Sequence, residues 1–202
     1  MNEHPSPSDS PEEVARAFLA ALDAGRWREA AALVDSQTAE RFRIQQIELL
    51  RLEERSPEAP AQTVFAHATA LLGVRGADEA EALPAAELLA RFAESLHPAS
   101  VLRRAHGAGD HSGTESPPPS LTRTIVGCVK DDDGSARVEY RTDWRQGETR
   151  SDFMGGLHVL TAIHTPAGWR VRDADLGGHG SGHILVPDEQ LASFRGGTDA
   201  AG

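Results

Sequence analysis

The chain changes its hydrophobic period once, and that change constrains its fold more than any single motif. From 11 to 97 the apolar residues recur every three or four positions, as in amphipathic helices. From 120 to 176 they alternate, as in half-buried strands. Helices first and an antiparallel meander last predict an α+β domain, with N-terminal helices packed on a curved antiparallel sheet.

The helical half is punctuated clearly. Ser10, Pro11 and Glu13 form a capping box with proline at the first helical position. Val14, Phe18 and Leu22 then make one apolar stripe, and Gly25 supplies a left-handed stop. Trp27, Ala30, Ala31 and Val34 share a face on a second short helix. A third helix is predicted from Ser36 to about Ser56, carrying Phe42, Ile44, Ile47, Leu50 and Leu52. Ala-rich composition favours helix over Val64–Val74, and the acidic stretch Asp78–Glu81 is expected to start or bridge a turn. Pro84 opens a helix with Leu88, Leu89, Phe92 and Leu96 on one face, and a short strand is expected at Ser100–Arg104.

Residues 1–10 and the Gly- and Pro-rich stretch 105–119 are expected to be flexible. The core domain is expected over 11–176, and 177–202 as a mostly flexible tail with one apolar patch at Ile184–Val186. In the sheet half, Asp131–Gly134 is a hairpin turn. Ala136, Val138, Tyr140, Thr142 and Trp144 alternate with Arg137, Glu139, Arg141 and Asp143, so one face is covered and the other wet. A strand over Gly156–Thr165, a turn at Thr165–Gly168 and a strand from Trp169 complete the meander.

Composition excludes several classes. A net charge of −11 and a pI near 5.2 repel phosphate backbones and anionic lipid, so neither nucleic acid nor membrane is an expected partner. One cysteine, Cys128, permits no intrachain disulfide. With no apolar run of about 20 residues and a polar start, a cytoplasmic location is the expectation.

Pro-Glu-Glu-Val-Ala-Arg-Ala-Phe-Leu-Ala-Ala-Leu-Asp-Ala-Gly-Arg-Trp-Arg-Glu-Ala-Ala-Ala-Leu-Val (11–34) resembles the first helical hairpin of nuclear transport factor 2-like (cystatin-like) domains. The strands at 135–144 and 157–164 and the closing Gly-Trp-Arg-Val (168–171) resemble their terminal meander. About half of the chain is covered. The resemblance implies an α+β cone with a pocket between sheet and helices. Members include isomerases, dehydratases, cyclases, ligand binders and assembly domains, so the fold does not choose among them.

No motif fixes a reaction. Isomerases of that superfamily use a tyrosine and a protonated aspartate, but here the only tyrosine, Tyr140, lies on the covered face and Asp143 on the other. Tyr140 is therefore expected to find a core hydrogen-bond partner. Dehydratase members use His with Asp. His158 and His164 share one strand face with Leu160 and Ala162, and both histidines are expected to face solvent beside charged neighbours. His106, Asp110, His111, His179 and His183 sit in Gly-rich segments without the spacing of a rigid metal site. Neither metal nor cofactor is expected, and Cys128 is expected in the core. Pocket candidates are Tyr140, Trp144 and His158. The expected role is a non-catalytic module that binds a small apolar ligand or a protein partner, with a homodimer through the wet sheet face. The alternative is a small isomerase, dehydratase or cyclase acting on a carbonyl compound, with His158 or Tyr140 in the pocket.

Overall fold

The computed structural model describes residues 9–55, 68–96, 120–146, 149–150, 155–176 and 182–192. The predicted strand at 100–104 and loop at 105–119 lie outside them. Among the described residues six helices precede the sheet: α1 (Pro11–Asp23), α2 (Trp27–Ala32), α3 (Ser36–Arg55), α4 (Ala68–Leu72), α5 (Ala77–Ala82) and α6 (Ala85–Leu96). The strands are β1 (Ser120–Lys130), β2 (Ser135–Gln146), β3 (Thr149–Arg150), β4 (Gly156–Thr165) and β5 (Gly168–Asp173). The α+β fold is the expected one. The sheet runs β1-β2-β4-β5, all antiparallel, with β3 paired to the end of β2.

Local chemistry sets the boundaries. Ser10 accepts the amide of Glu13 at the start of α1, and Glu13 reaches back to the amide of Asp9, closing the box one residue earlier than a standard capping box. Gly25 turns the chain from α1 into α2 at φ 69°, a conformation that side chains with a Cβ rarely adopt. The turn expected at Asp78–Glu81 is instead helix α5. Asp78 and Glu79 lie in its first turn, where negative charge suits the helix dipole, and Glu54 accepts the amide of Ala77 at 2.8 Å. Ala80 is fully buried and anchors this helix to the core.

α1 crosses the inner face of the sheet and touches β1, β2, β4 and β5. The other helices stack behind it, with α6 against α2, α3 and α4. One apolar cluster joins Val14, Phe18 and Leu22 of α1 to Phe42, Leu88 and Phe92 and to Val138, Leu160 and Val171 of the sheet. The outer edge of β5 is held by the α2–α3 connection, where Asp35 donates its amide to Val171 and Val171 donates to Leu33. An exposed strand edge is thereby partly covered.

Residues 182–192 were placed in a flexible tail by the sequence, but they pack. Ile184 is fully buried, and Val186 clusters with Leu49 and Leu191. The Gln45 amide holds both backbone groups of Val186, each at 3.0 Å, and Arg41 holds Asp188. No helix of the described residues is long and apolar enough to cross a membrane.

Candidate functional site

Strand register builds the site. Tyr140 of β2 is the direct partner of His158 of β4, and Thr142 is the partner of Gly156. On the other side of β2, Thr142 faces Arg123 and Trp144 faces Leu121. Residues two apart on a strand share a face. Arg123, Tyr140, Thr142, Trp144 and His158 are therefore neighbours on the inner face. Toward the hairpin at 131–134 the same face is apolar and filled, with Ala136, Val138, Leu160 and Ala162 all fully buried. The polar residues occupy the opposite end.

The rings of Tyr140 and His158 stack with centroids 5.4 Å apart and planes 29° from parallel. His158 Nδ1 lies 3.3 Å from Asp175 Oδ2, and both side chains are shielded. Tyr140 donates its hydroxyl to the backbone oxygen of Asp175 at 3.1 Å. Burial pushes the phenol well above its ordinary range, because phenolate would lose its hydration. Asp175 is itself fixed by the C-terminal segment. Its Oδ1 accepts the amide of Gly182, and Leu176 and Gly182 are joined by a backbone bond. His183 meets Asp173 at 3.0 Å, and that hydrogen bond raises the imidazole above its ordinary value.

Arg123 is the charge at the centre. Its side chain is completely buried and pairs with Asp23 at the end of α1, which is 25% exposed. It also donates to the carbonyl of Leu176. Burial raises the Asp23 carboxyl above its ordinary value, although the guanidinium works against that shift. Three donors of this end find no acceptor among the described residues: Arg123 Nε, Thr142 Oγ1 and Trp144 Nε1.

The structure pairs Tyr140 with His158 and places Trp144 on the same face, four residues further along β2. Tyr140 has the core hydrogen-bond partner expected of it. His158 does not face solvent: it shares the covered face with Leu160 and Ala162, while Leu157 and Val159 are the exposed pair. The strand phase was legible, but the apolar Leu157 and Val159 pointed to the wrong side as the buried one. His164 is exposed and lies edge-on to Trp169. Cys128 is half-buried beside Glu12, and burial raises its thiol.

Sequence reasoning missed Arg123, Asp23, Thr142 and Asp175. A β-bulge between Ile125 and Gly127 shifts the phase of β1, so Arg123 and Ile125 face inward on one side of it and Cys128 on the other. Gly127 within a strand was the available signal. Asp175 had none.

A separate surface cleft of about 290 Å³ lies between α2 and α6, lined by Trp27, Arg28, Glu87 and Arg91, and does not include the pocket candidates. Of the histidines considered as metal ligands, only His183 is among the described residues. There no three His, Cys, Asp or Glu side chains group to hold a metal ion. No protein-family model, curated protein or solved structure matches the chain.

Proposed function

We propose that this protein is a non-catalytic module that takes a small ligand into the polar end of an α+β cone, beside Tyr140, Trp144 and His158. The observation that carries this reading is the contrast along the inner face. One end is packed with aliphatic side chains, and the other gathers an arginine, a threonine, a tryptophan and a histidine. Ligand sites pair an apolar wall with a few placed polar groups. The resemblance of the hairpin and the meander to nuclear transport factor 2-like domains supports the same location. Native mass spectrometry of the protein purified from its own cells tests it. A reproducible small-molecule adduct that Trp144→Ala abolishes is the expected result. A clean apo mass in every preparation overturns it. The His158–Asp175 contact would also let this site act as a base on a carbonyl compound. Turnover of the recovered ligand that His158→Ala abolishes would replace binding by catalysis.

A second role, self-association, is favoured by the outer face. Four of the five large apolar side chains exposed among the described residues lie there: Val126, Val129, Leu157 and Val159. Between them β2 presents Arg137, Glu139, Arg141 and Asp143. Read antiparallel, this row is its own complement: Glu139 meets Arg141 of a second copy, and Asp143 meets Arg137, which within one chain pairs with Asp131. A two-fold interface requires such self-complementarity. Sedimentation equilibrium should show a dimer, weakened by Glu139→Arg and restored when Arg141→Glu is added. A monomer at all concentrations sinks this reading.

A further inference from the structure

Buried polar atoms without partners among the described residues include three donors at the polar end of the inner face and one acceptor on β5, Asp173 Oδ1. Arg123 Nε, Thr142 Oγ1 and Trp144 Nε1 are buried without an acceptor among the described residues. Thr142 is 1% exposed, Trp144 8%, and the Arg123 side chain 0%. Buried polar groups are nearly always paired, so each orphan asks for an explanation. Their positions are adjacent by register: Arg123 is opposite Thr142, and Trp144 is two residues further along β2. On the far side of Thr142 stands Gly156. A Cβ built there would meet only the His158 ring, at 3.4 Å, so the row of side chains is interrupted at that point.

We propose that this place binds a neutral carbonyl group, on a ketone, ester or lactone with an apolar body, whose oxygen accepts from Thr142 and Trp144 through its two lone pairs, beside the Arg123 Nε–H. The proposal rests on the ligand-binding reading and deepens it. Charge decides between a carbonyl and a carboxylate. One buried guanidinium, Arg123, stands against the buried carboxylate of Asp175 and the quarter-exposed carboxylate of Asp23. Protonation of His158 at most balances them. A carboxylate would enter a site of zero or negative charge and lose its hydration. A carbonyl oxygen brings the acceptor without the charge.

The test uses three probes of matched shape: 1-tetralone, 1-tetralol and 1-naphthoate. Binding is followed by tryptophan fluorescence and thermal shift on the full chain. The expected order is ketone first, with alcohol and carboxylate at least about tenfold weaker, the worth of roughly one hydrogen bond in a dry site. Thr142→Val and Trp144→Phe should each weaken the ketone about five- to tenfold. Thr142→Val should leave the melting temperature of the free protein unchanged or higher, because it removes an unsatisfied hydroxyl. Gly156→Val, at a position with no positive φ, should fold and fail to bind. Equal binding of carboxylate and ketone overturns the assignment, as does ketone binding indifferent to these variants. If no probe binds while a native adduct is found, a non-carbonyl adduct overturns the carbonyl alone. No probe and no adduct together overturn the ligand-binding reading as well.

Discussion

Tyr140 and His158 are direct cross-strand partners, and their rings stack 5.4 Å apart against the backbone of Asp175. The pair marks where the inner face turns from aliphatic to polar. It also ties the sheet to the C-terminal segment, because the tyrosine hydroxyl and the histidine ring both address Asp175.

The buried phenol makes a prediction that one chromophore can check. Tyr140 is the only tyrosine, so absorbance at 295 nm reports it alone. The native protein should show no tyrosinate near pH 10, whereas the unfolded chain titrates at about 10. The folded value is raised, so its contribution is intact below about pH 10 and is lost as pH rises toward the folded value. Ionisation should coincide with alkaline unfolding. A free titration at pH 10 in folded protein would contradict the burial.

Tyr140→Phe should lower stability by about 1–2 kcal/mol, because the carbonyl of Asp175 loses its donor. For a domain of this size that is about 2–8 °C in melting temperature. An unchanged melting temperature would mean that this hydrogen bond contributes nothing net.

Asp23→Asn should destabilise more, on the order of 3 kcal/mol, because it leaves the buried guanidinium of Arg123 without a counter-charge. Adding Arg123→Met should recover part of the loss. Urea unfolding of the two single variants and the double variant measures the coupling. Strictly additive losses would show that the pair does not act as a unit.

Gln45→Leu should release the segment that carries Val186. Both hydrogen bonds of that amide are buried and run to one residue. Leucine leaves a backbone donor and acceptor unmet, at about 1–3 kcal/mol each. Amide exchange at Val186 and Leu191 should accelerate before exchange in β2. Equal acceleration everywhere would show that the segment does not open separately.

His183 should make the same segment pH-sensitive. Its folded value is raised, first by the hydrogen bond to Asp173 and further by Asp175. The contribution is full below about pH 6.5, the unfolded value, and is lost as pH rises through the folded value. After correction for intrinsic rates, the amides of Leu176 and Ile184 should be better protected at pH 6 than at pH 8. Asp173→Asn should remove that difference. Protection that increases with pH would refute the assignment.

The helices were largely legible because their signals are local. Ser10, Pro11 and Glu13 mark the start of α1, and Gly25 marks its end, each through its own backbone requirement. The alternation of β2 was equally plain. Asp78–Glu81 misled because acidity suits both a turn and a first helical turn, and only the buried Ala80 and the Glu54 cap decide for helix. His158 misled because Leu157 and Val159 compete with Leu160 and Ala162 for the core, and one strand cannot say which face the helices cover.

By itself, then, the sequence determined most of the elements and the phase of β2 and β4, since periodicity, caps and turns act within a few residues. Tertiary structure alone decided which face of β4 is buried, and which residues meet Tyr140. Arg123 comes from across a β-bulge, Asp23 from the end of α1, and Asp175 from a segment folded back over the sheet. Those contacts span 100 and 35 residues, and long-range register, not local preference, brings them together.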